Sequence, residues 1–268
     1  MPSFETLLQA ADDKVRTLIK QVDPADLALH NEGYAPGGDL FEQLVGPERQ
    51  RYVLALRMLD GLPPGRAVDL GCFFPYMPIL LTALGWEVTA VDRYSMFGPS
   101  LHEALTDAAR TEGFQLLDLD MTTDLDRVGE ADLVLLMAVV EHLNGSPLEL
   151  VRNIEALVRP REGRLLLEVP NMATLWHRIQ LLRGVSPLPD YGEYLRSSYP
   201  FAGHNREMTV GEVRMLLDEA GFAVDRINCF DYSPPAPGIK ARMLRLVQQA
   251  VPSCRETIMA VASPCRSG

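Results

Sequence analysis

The sequence predicts an α/β fold built on a doubly wound, mostly parallel sheet of seven strands. Short apolar segments alternate with amphipathic helical segments from residue 63 onward, which is typical of parallel strands joined by crossover helices. Residues 132–140, DLVLLMAVV, form a nearly continuous apolar run that indicates a strand buried on both faces. Residues 67–93 show the order strand, turn, helix, strand. They predict a βαβ unit whose turn lies at the ligand-binding edge of the sheet.

The predicted elements follow one another in regular order. Strands are expected at 67–70, 87–91, 114–120, 132–140, 164–169, 224–230 and 256–262, and helices at 75–84, 100–110, 147–158, 173–183, 209–220 and 239–250. Ser100 and Thr209 are each followed three residues later by a glutamate, so each is predicted to be the N-cap of a capping box. The last two strands are expected to form a closing pair at one edge of the sheet.

Residues 1–62 are predicted to form an N-terminal helical segment ahead of a core at 63–268. Apolar residues within 7–19 share one helical face, residues 50–59 give a second amphipathic helix, and a Gly/Pro loop separates the two. Two interpretations are open. The segment is either an appendage packed on the core or a cap over the ligand edge, in which case His30, Tyr34 and Phe41 would reach the ligand.

Residues 171–208 interrupt the alternation after the fifth strand and are predicted to be a lid insertion. The stretch that follows their one predicted helix is too long for an ordinary connection. Its ring-bearing side chains either cover a bound acceptor or pack within the lid; they are Trp176, His177, Tyr191, Tyr194, Tyr199 and Phe201.

Composition excludes some classes of partner. The formal net charge of the 268-residue chain is −11, whereas a nucleic-acid surface needs clustered lysine and arginine, so no nucleic acid is expected. The acidity favours a neutral or cationic ligand, or serves solubility alone. No apolar run reaches the roughly 20 residues that span a bilayer, and the N-terminal residues lack the pattern of a signal peptide.

The four cysteines show no CxxC or Cys/His spacing. Neither a metal site nor a disulfide framework is therefore predicted. Free cysteines suit a reducing compartment, so a cytoplasmic location is expected.

The turn after the first strand has the sequence GCFFP, in which Gly71 is the single glycine. A dinucleotide site needs GxGxxG, because glycines let backbone amides approach a pyrophosphate at a helix N-terminus. Asp92, at the end of the second strand, offers two acceptor oxygens to the two hydroxyls of a ribose. Together these residues predict a site for a nucleoside without a diphosphate.

Motifs over about residues 65–230 match one family in their order and spacing. They are VDLGCFFPYMPILLTALGWEVTAVDR, LDLDMTTDL, ADLVLLMAVVEHLNGSPLELVRNIEALVRPREGRLLLEVPN and GHNREMTVGEVRMLLDEAGFAV. With them the chain resembles the class I S-adenosylmethionine-dependent methyltransferases, particularly the small-molecule branch. The resemblance implies a Rossmann-like methyltransferase fold with S-adenosyl-L-methionine as cofactor. Phe73 and Pro75 stand where the family has its second and third glycines.

The resemblance also implies which residues hold the cofactor. Asp69 and Gly71 would shape the turn beside its amino acid portion, and Asp92 would hold the ribose. Asp120 would accept a hydrogen bond from the adenine amine, with Asp118 as the competing choice and a solvated strand end as the alternative for either. Met121 would pack on the adenine ring, and the complete implied set is Asp69, Gly71, Cys72, Asp92, Arg93, Asp120, Met121, Ala138 and Val139.

Methyl transfer from a sulfonium is a displacement at an activated carbon, so positioning of donor and acceptor supplies much of the rate. A base is needed only where the acceptor loses a proton, and a neutral histidine can take that proton near pH 7. His204, His142 and His177 are the candidate catalytic residues, with His204 favoured. A loop-anchoring role for His204 and a structural role for His142 are the alternatives. The predicted acceptor is an oxygen or nitrogen of a small molecule such as a sugar, a glycan or a secondary metabolite.

Two other functions are open at this point. Phe73 and Pro75 in the turn are compatible with a catalytically silent cofactor-binding or partner subunit. A nicotinamide-dependent oxidoreductase is disfavoured, because the chain lacks GxGxxG and a Tyr-x-x-x-Lys pair beside a strand. The sequence does not indicate an oligomeric state.

Overall fold

A computed structural model describes residues 3–28, 39–197, 201, 203–233 and 238–266. The strands within these residues are β1 (Arg66–Leu70), β2 (Glu87–Asp92), β3 (Gln115–Asp118), β4 (Leu133–Met137), β5 (Arg164–Pro170), β6 (Phe222–Phe230) and β7 (Thr257–Pro264). They form one sheet in the order β3-β2-β1-β4-β5-β7-β6. Neighbours from β3 to β5 are parallel, whereas β7 is antiparallel to both β5 and β6. The predicted mostly parallel sheet and its closing pair are confirmed.

Helices cover both faces of this sheet. Over the described residues they are α1 (Phe4–Ile19), α2 (Pro24–Ala28), α3 (Leu40–Leu44), α4 (Arg49–Met58), α5 (Tyr76–Ala83), α6 (Pro99–Glu112), α7 (Leu148–Val158), α8 (Leu175–Leu182), α9 (Tyr191–Arg196), α10 (Val210–Glu219) and α11 (Ile239–Ala250). Alternate residues of β4 join two separate apolar clusters, one with α1, α4, α5 and α6 and the other with α7 and α10. Because β4 is buried on both faces, its sequence is continuously apolar.

The N-terminal helices are bonded to the core through a buried carboxylate. Asp12 of α1 accepts a hydrogen bond from the Tyr76 hydroxyl of α5, and its Oδ2 lies 2.9 Å from Arg49 Nε of α4. Phe41 is buried beneath the Arg16 guanidinium, which lies 3.8 Å from the ring centroid. The prediction that Phe41 reaches a ligand is therefore wrong, because its ring completes the apolar core. His30 and Tyr34 lie outside the described residues.

One of the two predicted helix caps is wrong and the other is confirmed. Helix α6 begins at Pro99, whose fixed φ and missing N–H suit the first helical position, so Ser100 lies inside the first turn. The Ser100 hydroxyl instead donates to Asp26 and so links α6 to α2. At α10 the capping box is present: Thr209 Oγ1 accepts from Glu212 N at 3.3 Å, and Thr209 N donates to Glu212 Oε2 at 2.8 Å.

Several segments differ from their predicted extents, and the strand predicted over 114–120 spans only Gln115–Asp118, so Asp120 lies beyond its end. The strand predicted to 140 ends at Met137, because Ala138 has a φ of +54° and residues Val140–His142 form a short 3-10 helix. The stretch for which no helix was predicted contains the short helix α9, with Asp190 accepting from Glu193 N at its start.

Cys72, Cys229 and Cys254 are buried, Cys265 is exposed, and none of them is in a disulfide. Across the described ranges, none of the helices is both long enough and apolar enough to span a membrane.

Candidate active site

The turn after β1 and the loop after β4 approach each other closely at the carboxyl edge of the sheet. Gly71 has a φ of +74°, and a Cβ at this position would overlap Val139 Cγ2. Ala138 also has a positive φ, which costs free energy for a residue with a side chain. Gly71 and Ala138 together form a wall between two cavities, since both residues line both of them.

Phe73 fits in the turn although a glycine would be expected there. Its φ is +45°, and its backbone N–H donates to Asp92 Oδ2 at 2.9 Å. Its ring packs edge-on against Phe74 and Phe97, with centroids 4.5 Å and 5.4 Å away. The hydrogen bond and the ring contacts hold the residue in a left-handed conformation, so the bulky turn is built into the fold.

The first cavity, here called the β2-side cavity, has a volume of about 610 Å³. Asp92, Arg93, Asp120, Met121 and Val139 line it. Asp120 Oδ1 accepts from Thr122 N at 2.9 Å and from Thr122 Oγ1 at 2.6 Å, and Arg93 lies 3.4 Å from Oδ2. These hydrogen bonds lower the pKa of Asp120, so it is a carboxylate near neutral pH.

The competing adenine candidate is placed differently. Asp118 is the last residue of β3, and its Oδ1 accepts from Ser95 Oγ at 3.2 Å. Of the two candidates, Asp120 is the one that lines the β2-side cavity.

The second cavity, here called the β5-side cavity, also measures about 610 Å³. It extends from the turn after β1 past β4 and β5 to α3 and α4, and carboxylates are frequent in its wall. The ionisable residues that line it are Glu48, Arg51, Tyr52, Asp69, Cys72, Glu141, His142, Glu168, His177, His204, Glu207, Tyr232 and Glu256.

Asp69 is a buried carboxyl group at the floor of the β5-side cavity. The pKa of Asp69 is raised to about 7, chiefly by desolvation. A hydrogen bond with Cys72 acts to lower this pKa, and the negative charge of Asp92 acts to raise it. Burial likewise raises the pKa of the Cys72 thiol, so this cysteine is not a thiolate nucleophile. Neither ionisable neighbour that acts on Asp69 is cationic.

Glu141 is the most isolated carboxyl group of the site. Its side chain is 1% exposed, and neither oxygen has a hydrogen-bond partner among the described residues. Burial, reinforced by Glu168, raises its pKa to about 7. A buried carboxyl group with two unbonded oxygens is costly, so its presence at a cavity wall indicates a ligand-binding role.

Glu168 connects the sheet to the N-terminal helices. The hydroxyl of Thr257 donates to its Oε1, and Arg51 Nη1 of α4 lies 3.7 Å from Oε2. The same arginine nitrogen lies 2.9 Å from Glu48 Oε2. A single buried arginine thus faces two carboxylates, and the acidic wall is only partly neutralised.

The three predicted histidines all line the β5-side cavity, where His177 and His204 lie beside the Glu207 carboxylate and His142 packs against His204. The rings of His142 and His204 are 4.9 Å apart between centroids. His204 Nδ1 lies 2.9 Å from Glu207 Oε1, and this hydrogen bond raises the pKa of His204. His177 Nδ1 lies 3.0 Å from the Met172 carbonyl and 3.7 Å from Glu207 Oε2.

A family model described as a methyltransferase domain matches residues 47–227, which is more than half of the chain. The chain belongs to this methyltransferase domain family. No curated protein matches its sequence.

Solved structures with the same fold include several methyltransferases. A SAM dependent methyltransferase from Archaeoglobus fulgidus is 16% identical, with a TM-score of 0.55 over 84% of this chain and 97% of that chain. Magnesium protoporphyrin IX methyltransferase from Synechocystis PCC 6803 with bound SAH is 16% identical, with a TM-score of 0.53 over 95% and 99%. The 1,6-didemethyltoxoflavin-N1-methyltransferase from Burkholderia thailandensis is 17% identical, with a TM-score of 0.53 over 93% and 88%. At these identities the likeness establishes the fold.

The sequence-predicted site residues of this methyltransferase divide between the two cavities. Arg93, Asp120 and Met121 lie on the β2 side with Asp92 and Val139, and Asp69 and Cys72 lie on the β5 side. These positions agree with the implied roles, which stay predictions for each residue.

Sequence reasoning missed several residues of the methyltransferase site, chiefly Glu48, Arg51, Glu168, Tyr232 and Glu256. A signal existed for Glu168, since it is the one charged residue in the otherwise apolar strand segment LLLEVP. A carboxylate in a strand buried on both faces needs a partner or a ligand. Arg51 gave no comparable signal, because an arginine on an amphipathic helix is normally solvated.

Most aromatic residues of the predicted lid face solvent. Tyr191 is 70% exposed, Trp176 and Tyr194 are more than half exposed, and the Tyr194 and Phe201 rings are 5.3 Å apart. His177 lines the methyltransferase cavity, and Tyr199 lies outside the described residues. The lid role of 171–208 stays a prediction.

Proposed function

We propose that this chain is an S-adenosylmethionine-dependent methyltransferase that methylates an oxygen or nitrogen atom of a small molecule. One observation carries the proposal: two cavities of comparable size meet at the wall formed by Gly71 and Ala138. The cofactor, S-adenosylmethionine, supplies a methyl group bound to a positively charged sulfur. A nucleoside portion in one cavity and an acceptor in the other would bring donor and acceptor together at this wall, which is the main requirement of the reaction.

The β2-side cavity suits the adenosine portion. Asp92 accepts one backbone amide on each oxygen, from Phe73 and Arg93, and these bonds hold its carboxylate at the cavity wall. There it would accept from the ribose hydroxyls. Asp120 would accept from the adenine amine, and the Met121 thioether would pack on the ring.

The floor of the β5-side cavity suits the cationic amino acid portion. Asp69 is buried without a cationic neighbour, so a ligand that carries an ammonium and a sulfonium would stabilise its ionised form. Gly71 lets the backbone approach that ligand, and Cys72, Ala138 and Val139 would complete the contact surface.

The rest of the β5-side cavity suits a neutral or cationic acceptor. Its wall holds more carboxylates than cationic groups, which disfavours acidic substrates. Sugars, glycans and secondary metabolites with hydroxyl or amine groups are the proposed acceptors. His204, oriented by Glu207, would assist proton loss from the acceptor, with His142 and His177 beside it.

The division into segments is also a proposal. Residues 1–62 would form a helical segment that caps the acceptor cavity, since Glu48, Arg51 and Tyr52 from α4 and its start line it. Residues 171–208 would form a lid on the core at 63–268. His177, near the start of this lid, and His204, near its end, both line the cavity.

Calorimetric titration tests the cofactor assignment. The purified chain is titrated with S-adenosylmethionine, S-adenosylhomocysteine and NAD, alongside Asp92→Ala and the control Asp118→Ala. We expect the first two ligands to bind, NAD to fail, Asp92→Ala to abolish binding and Asp118→Ala to leave it unchanged. Absence of binding by the unmodified chain would contradict the proposal.

An acceptor screen then tests catalysis. S-adenosylhomocysteine formation is measured with panels of sugars, phenols and amines. Acceptor-dependent product formation supports an enzyme. Tight cofactor binding without turnover on any panel would favour the silent cofactor-binding or partner subunit.

A further inference from the structure

Three side chains that line the β5-side cavity are close enough together to be metal ligands, and one of them, His142, also lines the β2-side cavity. Glu141, His142 and His204 each offer one ligand atom, and these three atoms lie within 4.8 Å of one another. Around a tetrahedral zinc ion with bonds of about 2.1 Å, ligand atoms are about 3.4 Å apart, so closure needs shifts on the order of 1 Å. His142 is exposed and His204 is half-buried.

Glu141 supplies the observation that points to a cation. Among the described residues neither of its two buried oxygens has a hydrogen-bond partner, and one of them lies within 4.8 Å of a ring nitrogen of each histidine. A neighbouring carboxylate, Glu168, adds negative charge, and Arg51 lies between Glu168 and Glu48 rather than in contact with Glu141. A divalent cation would satisfy both the unbonded oxygens and the excess charge.

The surrounding bonds hold the ligands in place. Glu207 bonds to Nδ1 of His204, which leaves Nε2 as the nitrogen available for a cation. A carboxylate behind a histidine is the usual support of a histidine that binds metal. Asn205 N donates to the Glu141 carbonyl at 2.6 Å, and Asn205 Nδ2 donates to the His142 carbonyl at 3.1 Å. These bonds join the two loops from which the ligands come.

We propose that Glu141, His142 and His204 bind a divalent transition-metal ion of the zinc type, which holds the oxygen or nitrogen of the acceptor beside the methyl donor. Two imidazoles and one carboxylate are a donor set that such ions prefer, and three protein ligands leave a fourth position open for a substrate atom. The inference rests on the proposed function and deepens it.

The bound ion would change how the acceptor loses its proton. A divalent cation lowers the pKa of a hydroxyl group that binds to it, so the proton can pass to solvent. His204 Nε2 cannot hold a proton and a metal ion at once. In the metal-bound protein His204 would therefore act by holding the ion rather than by taking the proton. The ion would promote loss of the proton by lowering the pKa of the acceptor's hydroxyl group.

Titration of the full chain with Zn²⁺ alone tests the site. After removal of metal with a chelator, we expect one ion to bind per chain. Glu141→Gln and the surface variant His142→Ala should each weaken binding by more than about 100-fold, and Glu207→Gln by about tenfold. His142→Ala guards against misfolding of the buried Glu141 variant.

Two controls complete the test. Asp107→Asn alters an exposed carboxylate that pairs with Arg110 outside the β5-side cavity, and it should leave zinc affinity unchanged. Cys265→Ser removes the exposed thiol and should also have no effect. Zinc binding that survives in Glu141→Gln and His142→Ala, or that disappears in Cys265→Ser, overturns the inference.

Cofactor titration on the same samples separates the two proposals. A chain that binds S-adenosylmethionine and methylates an acceptor but binds no Zn²⁺ overturns the metal site and leaves the proposed function standing. A chain that binds Zn²⁺ at these ligands but not S-adenosylmethionine supports the metal site and contradicts the proposed function.

Discussion

The two cavities differ in how their carboxylates are bonded. On the β2 side, Asp92 accepts two backbone amides, and Asp120 accepts from Thr122 and faces Arg93. On the β5 side, Glu141 has no hydrogen-bond partner among the described residues. The pKa of Asp120 is accordingly lowered and that of Glu141 raised.

This contrast shows which cavity is complete without a ligand. The β2-side carboxylates are stabilised by bonds within the protein, and in the proposed function they would accept from a neutral ring and its hydroxyls. The β5-side carboxylates retain unmet charge, which a cationic ligand or ion would satisfy. Substitutions should therefore affect folding and chemistry most on the β5 side.

Arg51→Met should give the largest effect. It removes the cation that faces both the half-buried Glu48 and the buried Glu168, which should lower the free energy of unfolding by about 3 kcal/mol. Denaturant titration measures the loss. The control Arg110→Met removes an exposed ion pair with Asp107 and should change it by less than about 0.5 kcal/mol. Equal losses of unfolding free energy in Arg51→Met and Arg110→Met would contradict the contrast drawn between the two cavities.

His204→Ala should reduce turnover by about 100-fold, because it removes the group that assists proton loss from the acceptor. Cofactor affinity should change little, since the residue faces the acceptor portion of the β5-side cavity. Steady-state kinetics and calorimetry measure the two quantities. His102→Ala, on α6 beside Tyr94, is the control and should retain turnover. Unchanged turnover in His204→Ala would remove this residue from the mechanism.

Cofactor affinity should rise about tenfold between pH 6 and pH 8, because the cation binds the ionised form of Asp69, whose pKa is about 7 in the free protein. Ionisation is disfavoured in the folded chain, so the contribution of Asp69 to stability falls as pH rises from about 4 to about 7. Asp69→Asn should weaken cofactor binding at pH 8. It should also flatten the pH dependence of cofactor affinity and of stability. Calorimetry across this range measures the effect, and an identical slope in the variant would contradict the assignment.

Asp120→Asn should give the smallest effect. It keeps one acceptor oxygen, so cofactor affinity should fall by only about fivefold, the equivalent of one ordinary hydrogen bond. The free energy of unfolding should barely change, because Asp120 is partly exposed and its partners Thr122 and Arg93 can form hydrogen bonds with water instead. A loss of affinity as large as that of Asp92→Ala would mean that Asp120 does more than accept one hydrogen bond from adenine.

The sequence predicts the strands of the sheet well because periodicity reports burial. The apolar run of β4, the capping box at Thr209 and the closing pair of β6 and β7 at one edge all follow from local patterns. Local rules failed where two of them competed, as at Ser100, where Pro99 starts the helix and the serine bonds across to Asp26.

The acceptor side was less predictable because its residues come from distant parts of the chain. The contact between His142 and His204 and the approach of Arg51 to Glu168 depend on tertiary packing, and no spacing rule encodes either. The spacing of cysteines and histidines predicted no metal site, although folding brings Glu141 to the two histidines. The accommodation of Phe73 likewise depends on Asp92 and Phe97.

The wall shared by the two cavities has a consequence for the order of events in time. Gly71, Ala138 and His142 line both cavities, so a cofactor in the proposed position would form part of the surface against which the acceptor rests. The acceptor would then meet a finished binding surface only after the cofactor has entered. We therefore expect S-adenosylmethionine to enter first and its demethylated product to leave last.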